Sequence, residues 1–168
     1  GETVMLDLGA NVQCAAENLV QFAVLGEVFA RVVLGLQNPT VGLLNIGAEE
    51  LKGNDAVREA ASVLREVTRS LNFKGFVEGN DIGAGTVDVV VTDGFTGNVA
   101  LKTAEGTARL CTTFIRQAFR SSLLAGFGYL CARGALRRMR NRVDPRRYNG
   151  AIFLGLEGIA VKSHGGTD

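Results

Sequence analysis

Residues 89–102 read VVVTDGFTGNVALK, a stretch in which a strand pattern leads through glycines into a helix pattern. Its three valines are typical of a buried strand, and Asp93 follows directly after that strand. Gly94 and Gly97 bracket a predicted turn, where glycine permits a positive φ or a close backbone approach. Asn98 is predicted to cap the next helix, whose first N–H groups attract anions. The stretch predicts a strand–turn–helix unit with a candidate anion site, although an ordinary capped connection has the same pattern.

The rest of the chain alternates strand and helix patterns. Periodicity predicts strands at residues 4–8, 41–46, 73–77 and 87–92, helices at 17–34, 56–70 and 99–120, and two short final strands at 151–156 and 159–162. Asn54 or Asp55 is predicted to cap the second helix. The alternation predicts an α/β fold, with a mostly parallel sheet, flanking helices and a short β-hairpin at the end.

The charge of the chain is unevenly distributed, although the net charge is only +1. Residues 1–115 carry 8 Lys and Arg against 14 Asp and Glu, hence −6, whereas residues 116–147 carry nine arginines and one acid, hence +8. The three cysteines are widely spaced and His164 is the only histidine, so ligand spacing predicts no metal site. This cysteine usage favours a reducing compartment.

Four predicted strands end in polar turns that contain glycine. Because the carboxyl ends of parallel strands meet at one edge of a sheet, these turns are expected to converge there. The polar residues of that edge are Asn11, Asn45, Asp81, Asp93 and Asn98, with Lys52 and Lys102 nearby. Two lysines and several backbone amides suit a phosphate or another small anion. The chain has neither a G-x-G-x-x-G dinucleotide fingerprint nor a Walker A motif.

These turns also carry a family resemblance. The blocks are LDLGAN at 6–11, VGLLNIGAEELKGN at 41–54, NFKGFVEGND at 72–81, VTDGFTGNV at 91–99, and YNGA, GLEG and SHG between 148 and 165. In this order they resemble the PlsX-type phosphate acyltransferases of bacterial phospholipid synthesis. The resemblance covers nearly the whole chain, which is expected to correspond to roughly the C-terminal half of a family member.

The resemblance implies a fold and a reaction. The fold would be a Rossmann-like three-layer architecture similar to phosphotransacetylases and the isocitrate dehydrogenase group. The reaction would transfer a long-chain acyl group from acyl carrier protein to inorganic phosphate, giving acyl phosphate. A glycerol-3-phosphate acyltransferase would then consume that product. The resemblance implies no cofactor, and it implies a cytoplasmic homodimer that acts at the membrane surface.

Together, the residues and the resemblance give a set of candidate site residues. The candidate catalytic residues are Lys52, Asp93, Asn98 and His164, and the candidate phosphate-binding residues are Asn11, Asn45, Gly47, Asn54, Asp81, Gly94, Phe95, Gly97 and Lys102. Asp93 has an equally good alternative as a structural helix cap, and Lys52 as a solvated surface lysine. His164 is a candidate base, but a lone histidine in a terminal strand is as often structural.

Residues 116–147 are predicted to form a basic helical hairpin inserted in the domain. Its candidate contact residues for a membrane or for acyl carrier protein are Leu123, Leu124, Phe127, Tyr129, Arg133, Arg137 and Arg138. An apolar stretch flanked by arginines suits an anionic bilayer, and the same arginines suit an acidic carrier protein. The alternative is a hairpin that packs in a homodimer, with its arginines solvated. Nucleic-acid binding is not predicted, because no recognition motif accompanies the charge.

Two further classes of protein stay open. One is a small-acyl phosphotransacetylase or a dehydrogenase-like relative, and binding of a nicotinamide cofactor would identify the latter. The other is a non-catalytic binding fragment that only dimerises, which dimerisation without turnover would indicate.

Overall fold

The computed structural model describes residues 3–66, 71–143 and 150–163. The chain divides into two compact units, Gly1–Leu101 and Lys102–Asp168. The first unit holds the strands β1 (Val4–Leu6), β2 (Thr40–Leu44), β3 (Asn72–Val77) and β4 (Val89–Val91), and the helices α1 (Ala16–Val33), α2 (Asp55–Glu66) and α3 (Gly79–Ala84). The helix α4 (Gly94–Phe119) begins in the first unit and continues into the second.

The four strands of the first unit form one parallel sheet in the order β1-β4-β2-β3. The valine run of β4 occupies a central position, with Val89 in register with Val4 on one side and Val41 on the other. All three valines of β4 are fully buried. A strand with neighbours on both edges and helices over its faces needs such a continuous apolar run. The predicted α/β fold with a mostly parallel sheet is confirmed.

The main hydrophobic core lies between the sheet and the helices α1 and α2. Leu19, Ala23 and Ala30 of α1 and Ala60, Ala61 and Leu64 of α2 are buried there, together with Val41 and Leu43 of β2. Small alanines allow the two helices to approach the sheet and each other closely. The core therefore anchors the strands whose carboxyl ends lead into the polar turns.

Two of the predicted boundaries are wrong. Helix α4 begins at Gly94, five residues before the predicted start, so residues 94–97 are its first turn and not a glycine-bracketed loop. Asn98 consequently lies inside the helix and does not cap it. The short helix α3 was not predicted, and it is followed by the capping residue Gly85, which has a positive φ of 66°. Both errors have one cause: glycine-rich segments have low intrinsic helix propensity, and here local capping outweighs it.

The second unit contains the rest of α4, the helix α5 (Leu123–Val143) and the strands β5 (Gly150–Phe153) and β6 (Ala160–Ser163). The two strands pair in antiparallel fashion, which confirms the predicted final hairpin. The rings of Phe119 and Tyr129 meet edge-on with their centroids 5.7 Å apart. Within the described ranges, none of the helices combines the length and apolar character that a membrane span requires.

Candidate functional site

The carboxyl ends of the four parallel strands lie along one edge of the sheet. Asp7 follows β1, Asp93 follows β4 after one residue, Asn45 follows β2 and Glu78 follows β3. The sequence prediction that these polar turns share an edge is confirmed by the strand order and direction. In open α/β sheets this edge is the usual place for a ligand.

Asp7 organises the first of these turns. Its Oδ1 accepts hydrogen bonds from the N–H groups of Gly9 and Ala10, at 2.7 and 2.8 Å. Its Oδ2 accepts two more from Asn11, at 2.7 Å from the backbone N and 2.8 Å from Nδ2. Burial opposes ionisation of this carboxyl, but these four hydrogen bonds outweigh it and lower its pKa.

Sequence reasoning did not single out Asp7. The signal was present, because an acidic residue between a strand and a glycine-containing turn is placed to accept the N–H groups of that turn.

Asp93 caps α4. Its Oδ1 accepts the backbone N–H of Thr96 at 2.8 Å, and its Oδ2 accepts the hydroxyl of the same threonine at 2.7 Å. Its main-chain carbonyl also accepts the N–H of Gly97. Both carboxylate oxygens are therefore engaged in starting the helix, as the alternative interpretation of Asp93 as a cap requires. A role in proton transfer stays a prediction.

The first turn of α4 packs tightly against the turn after β1. The N–H of Gly94 donates to the carbonyl oxygen of Asn11 at 2.8 Å, and a Cβ at Gly94 would lie 2.6 Å from that oxygen. A Cβ at Gly97 would collide with the carbonyl oxygen of Asp7. Asn98 reaches back from the next turn and donates from Nδ2 to the carbonyl of Leu8 at 3.1 Å. The two glycines thus serve close approach, and neither has a positive φ.

The loop between β2 and α2 brings Asn45 and Lys52 together. Asn45 donates from Nδ2 to the carbonyl of Lys52 at 3.1 Å and accepts the N–H of Ile46 at 2.9 Å. Lys52 donates from Nζ to Glu49 at 2.8 Å, which raises the pKa of the lysine and lowers that of the carboxyl. Gly47 is buried beneath this pair, where an added Cβ would lie 2.5 Å from Cδ of Lys52. Lys52 is therefore an exposed, permanently protonated side chain on an ordered loop.

Of the two residues predicted to cap α2, Asn54 and Asp55, it is Asn54 that does so. Its Oδ1 accepts the N–H of Val57 at 2.9 Å, and its carbonyl accepts that of Arg58. The cap lines an open cleft of about 640 Å³ in the first unit. The other lining residues are Val12, Gln13, Cys14, Leu19, Ala56, Val57, Asp93 and Phe95. The cleft therefore combines polar groups at two helix starts with apolar side chains in its walls.

Three members of the predicted set lie in that lining, namely Asn54, Asp93 and Phe95. Asn11, Asn45, Gly47, Lys52, Gly94, Gly97 and Asn98 lie in the loops and first helix turns along the same sheet edge, outside the lining.

The remaining predicted residues have other surroundings. Asp81 lies in α3, where its Oδ2 accepts the N–H of Glu78 at 2.8 Å. Lys102 belongs to the second unit and donates to Glu105 at 3.0 Å. His164 lies outside the described residues.

Cys14 is a cleft residue that sequence reasoning did not assign to the site. Its thiol donates weakly to the carbonyl of Asn11 at 3.7 Å. Burial raises its pKa, and the charges of Asp7 and Asp93 add to that effect, while a hydrogen bond from Gly94 opposes it. A thiol with a raised pKa is a poor nucleophile, so Cys14 belongs to the wall of the cleft and not to covalent chemistry.

No group of three or more metal-binding side chains occurs within the ranges 3–66, 71–143 and 150–163.

Helix α5 of the second unit exposes its predicted contact residues. Leu123 and Leu124 are 96% and 82% accessible, and Phe127, Tyr129, Arg133, Arg137 and Arg138 are exposed as well. Leu123, Phe127 and Leu130 follow at i, i+4 and i+7, so they share one helix face. The face is apolar in its first half, and arginines follow along the same helix.

The chain resembles known proteins along its full length. Residues 1–168 match the family described as "Fatty acid synthesis protein". Proteins named "Phosphate acyltransferase" from Paramagnetospirillum magneticum and Rhodospirillum centenum are each 68% identical over all 168 residues, which cover 48% and 47% of those proteins. A third, from Gluconacetobacter diazotrophicus, is 64% identical, with 45% of its length covered.

The chain therefore spans about half the length of the curated relatives it matches. Its predicted resemblance to phosphate acyltransferases is confirmed by a match that leaves no part of the chain unaligned, and the chain belongs to the fatty acid synthesis protein family.

Proposed function

We propose that this chain provides the phosphate-handling half of an enzyme that transfers a long-chain acyl group from acyl carrier protein to inorganic phosphate. The observation that carries the proposal is the cleft where the capped start of α2 meets apolar side chains. A helix start offers N–H donors and a positive dipole end to an anion. The apolar wall suits the hydrocarbon of an acyl group. The names of the relatives support this reading.

The reaction joins a phosphate oxygen to the carbonyl carbon of a thioester. The new O–C bond forms, the C–S bond breaks, and the carrier's sulfur leaves as a thiolate that takes up the proton of the attacking hydrogen phosphate. Holding a phosphate oxygen against the carbonyl carbon removes much of the entropic cost of bringing the two reactants together. Lys52 places an ammonium group close to this edge in an ion pair with Glu49, so phosphate would compete with that carboxylate for it. It is the residue to which we assign long-range attraction of phosphate.

A developing oxyanion on the thioester carbonyl also needs hydrogen-bond donors, and the amides of residues 94–97 lie at this edge. The N–H groups of Gly94, Thr96 and Gly97 already donate to Asn11 and Asp93. We therefore assign the anion contacts to the α2 start beside Asn54, with Asn11 and Asn45 as shaping residues. His164 keeps its place only as a sequence-based candidate for the base.

The arginines of α5 support an interaction with acidic partners. We propose that the exposed apolar face and Arg137 and Arg138 contact an anionic membrane surface while the protein stays peripheral. Acyl carrier protein is the alternative partner, and a homodimer contact of α5 is the third. A glycerol-3-phosphate acyltransferase would accept the product.

Acyl-phosphate formation tests the reaction. We would supply palmitoyl carrier protein and inorganic phosphate to this chain and to the full-length form, meaning this chain within a polypeptide of its relatives' length. Mass spectrometry should detect palmitoyl phosphate from the full-length form. Absence of product would favour the two alternative assignments, a small-acyl phosphotransacetylase or a non-catalytic fragment that only dimerises.

Site variants refine this test. Lys52→Ala should raise the KM for phosphate, and Asp93→Ala should lower turnover through loss of the α4 cap. Glu49→Gln is the matched control, because it removes the ion pair but keeps the positive charge of Lys52. Unchanged kinetics in both alanine variants would refute the site.

A further inference from the structure

Asp7 is the most heavily hydrogen-bonded side chain at the carboxyl edge of the sheet. It is only 8% exposed, and its two oxygens accept four N–H groups from three consecutive residues, Gly9, Ala10 and Asn11. A carboxylate that gathers consecutive N–H groups in this way fixes the path of the backbone. The turn that it fixes runs directly into Val12, Gln13 and Cys14, which line the cleft.

The same turn also fixes the start of α4. The carbonyl oxygens of Asp7, Leu8 and Asn11 contact Gly97, Asn98 and Gly94 respectively. Any change in the turn's backbone would therefore move the first turn of α4. That first turn contributes Phe95 to the cleft, next to the cap Asp93. One buried carboxylate is thus connected to two walls of the cleft through a single turn.

We infer that Asp7 is the positioning residue of the site: by holding the turn 8–11 it sets the geometry of both cleft walls and so the productive placement of phosphate. Asp7 itself lies outside the cleft lining. The inference rests on the proposed acyl transfer to phosphate.

The chain supplies a matched control on the opposite edge of the sheet. Asp88 precedes β4, and its Oδ2 accepts the N–H and the hydroxyl of Thr40 at 2.8 and 2.6 Å. It therefore ties β2 to β4 at the amino ends of the strands, far from the ligand edge. Asp7 and Asp88 are both hydrogen-bonded carboxylates on one sheet, but only Asp7 adjoins the cleft. If Asp7 has a purely structural role, its replacement and that of Asp88 should change kcat/KM for phosphate to a similar extent.

The first experiment compares Asp7→Asn and Asp88→Asn in the full-length form. In Asp7→Asn an NH₂ group replaces one carboxylate oxygen. It would face the N–H donors of Asn11 and could accept no hydrogen bond from them, so the turn cannot keep its shape. At a temperature where both variants are folded by circular dichroism, Asp7→Asn should lower kcat/KM for phosphate by about tenfold or more, because small misplacements are costly. Asp88→Asn should stay within about twofold of the wild type. Equal effects in the two variants would overturn the inference.

A second readout is independent of turnover. In a background with Cys111→Ser and Cys131→Ser, maleimide labelling of Cys14 reports the position of the turn, since its thiol contacts Asn11. Asp7→Asn should change the labelling rate severalfold, and Asp88→Asn should leave it unchanged. If Asp7→Asn fails to fold, Asp7→Glu takes its place, because it keeps the negative charge but moves the carboxylate away from the N–H groups of residues 9–11. An unchanged labelling rate in that variant would overturn the inference.

The outcomes separate this inference from the proposed reaction. A full-length wild type that makes no acyl phosphate refutes the reaction. An active wild type whose Asp7 and Asp88 variants behave alike refutes only the positioning role.

Discussion

Asn45 donates a hydrogen bond from Nδ2 to the main-chain carbonyl of Lys52, at 3.1 Å, and so closes the loop between β2 and α2. The sequence predicts Asn45 as a phosphate-binding residue and Lys52 as a catalytic one, without a contact between them. Their contact shows that the asparagine acts on the loop backbone. Position 53 in this loop requires glycine for two reasons. Its φ is +91°, and an added Cβ there would collide with Oδ1 of Asn45.

Replacing Asn45 by alanine should loosen this loop. We expect a loss of about 0.5–1.5 kcal/mol in the free energy of unfolding, since the hydrogen bonds to Lys52 and Ile46 are lost. We also expect a higher KM for phosphate, because Lys52 is no longer held in place. Urea unfolding and steady-state kinetics of the full-length form measure the two effects. Asn80→Ala, at an exposed position of α3, is the control and should alter neither quantity.

The contact between α4 and β1 leads to a prediction about Gly97. Gly97→Ala would place a Cβ against the carbonyl oxygen of Asp7, and backbone atoms cannot move aside as a flexible side chain can. We expect a loss of about 1–3 kcal/mol in stability, measured by urea unfolding. Turnover should fall as well, because the first turn of α4 would be displaced.

Gly106→Ala is the internal control for this prediction. Gly106 lies in the same helix, and an added Cβ there would have no neighbouring atom within 4 Å. Alanine is a better helix former than glycine by about 1 kcal/mol, so this variant should be as stable as the wild type or more stable. If both variants lose stability equally, the loss comes from the helix itself and not from the contact with Asp7.

The pH dependence of stability should contain a contribution from Asp88. Hydrogen bonds from the hydroxyl and the N–H of Thr40 lower its pKa below the ordinary value of 3.8, despite partial burial. A carboxyl with a lowered folded-state pKa stabilises the fold above its unfolded-state pKa. That contribution disappears as the pH falls through the folded-state pKa.

Asp88→Asn should therefore have a shallower loss of stability between neutral pH and about pH 3 than the wild type. Urea midpoints across this range measure the slope. Asp7 has a lowered pKa for the same kind of reason, so the variant should keep part of the dependence. An unchanged slope in Asp88→Asn would show that this carboxyl is not coupled to folding.

The sequence was sufficient to predict that the polar turns lie on one edge of a parallel sheet. It was not sufficient to predict the local geometry of the site. The valines 89–91 and the alternation of patterns were sufficient for a parallel sheet with its polar turns on one edge. The start of α4 was missed because Gly94 and Gly97 look like turn residues. Their purpose is contact with Asn11 and Asp7, which are distant in sequence.

Asp7 was missed for a different reason. Three of its four hydrogen-bond donors are backbone N–H groups, so its only sequence signal is its place between a strand and a glycine-containing turn. The capping of α2 by Asn54, in contrast, is a local interaction, and local interactions are the ones that a sequence pattern records.

Charge reversal on α5 tests the proposed membrane contact. Arg137→Glu with Arg138→Glu would replace attraction to anionic lipid by repulsion, and each basic residue near such a surface contributes about 1 kcal/mol. We expect binding of the full-length form to vesicles containing phosphatidylglycerol to fall at least tenfold in a sedimentation assay. Arg31→Glu with Arg109→Glu makes the same change in net charge on α1 and α4, and should bind as the wild type does. Equal losses in both double variants would mean that only total charge matters. Unchanged binding in both would refute the membrane contact and leave carrier protein or a second copy of this chain as the partner of α5.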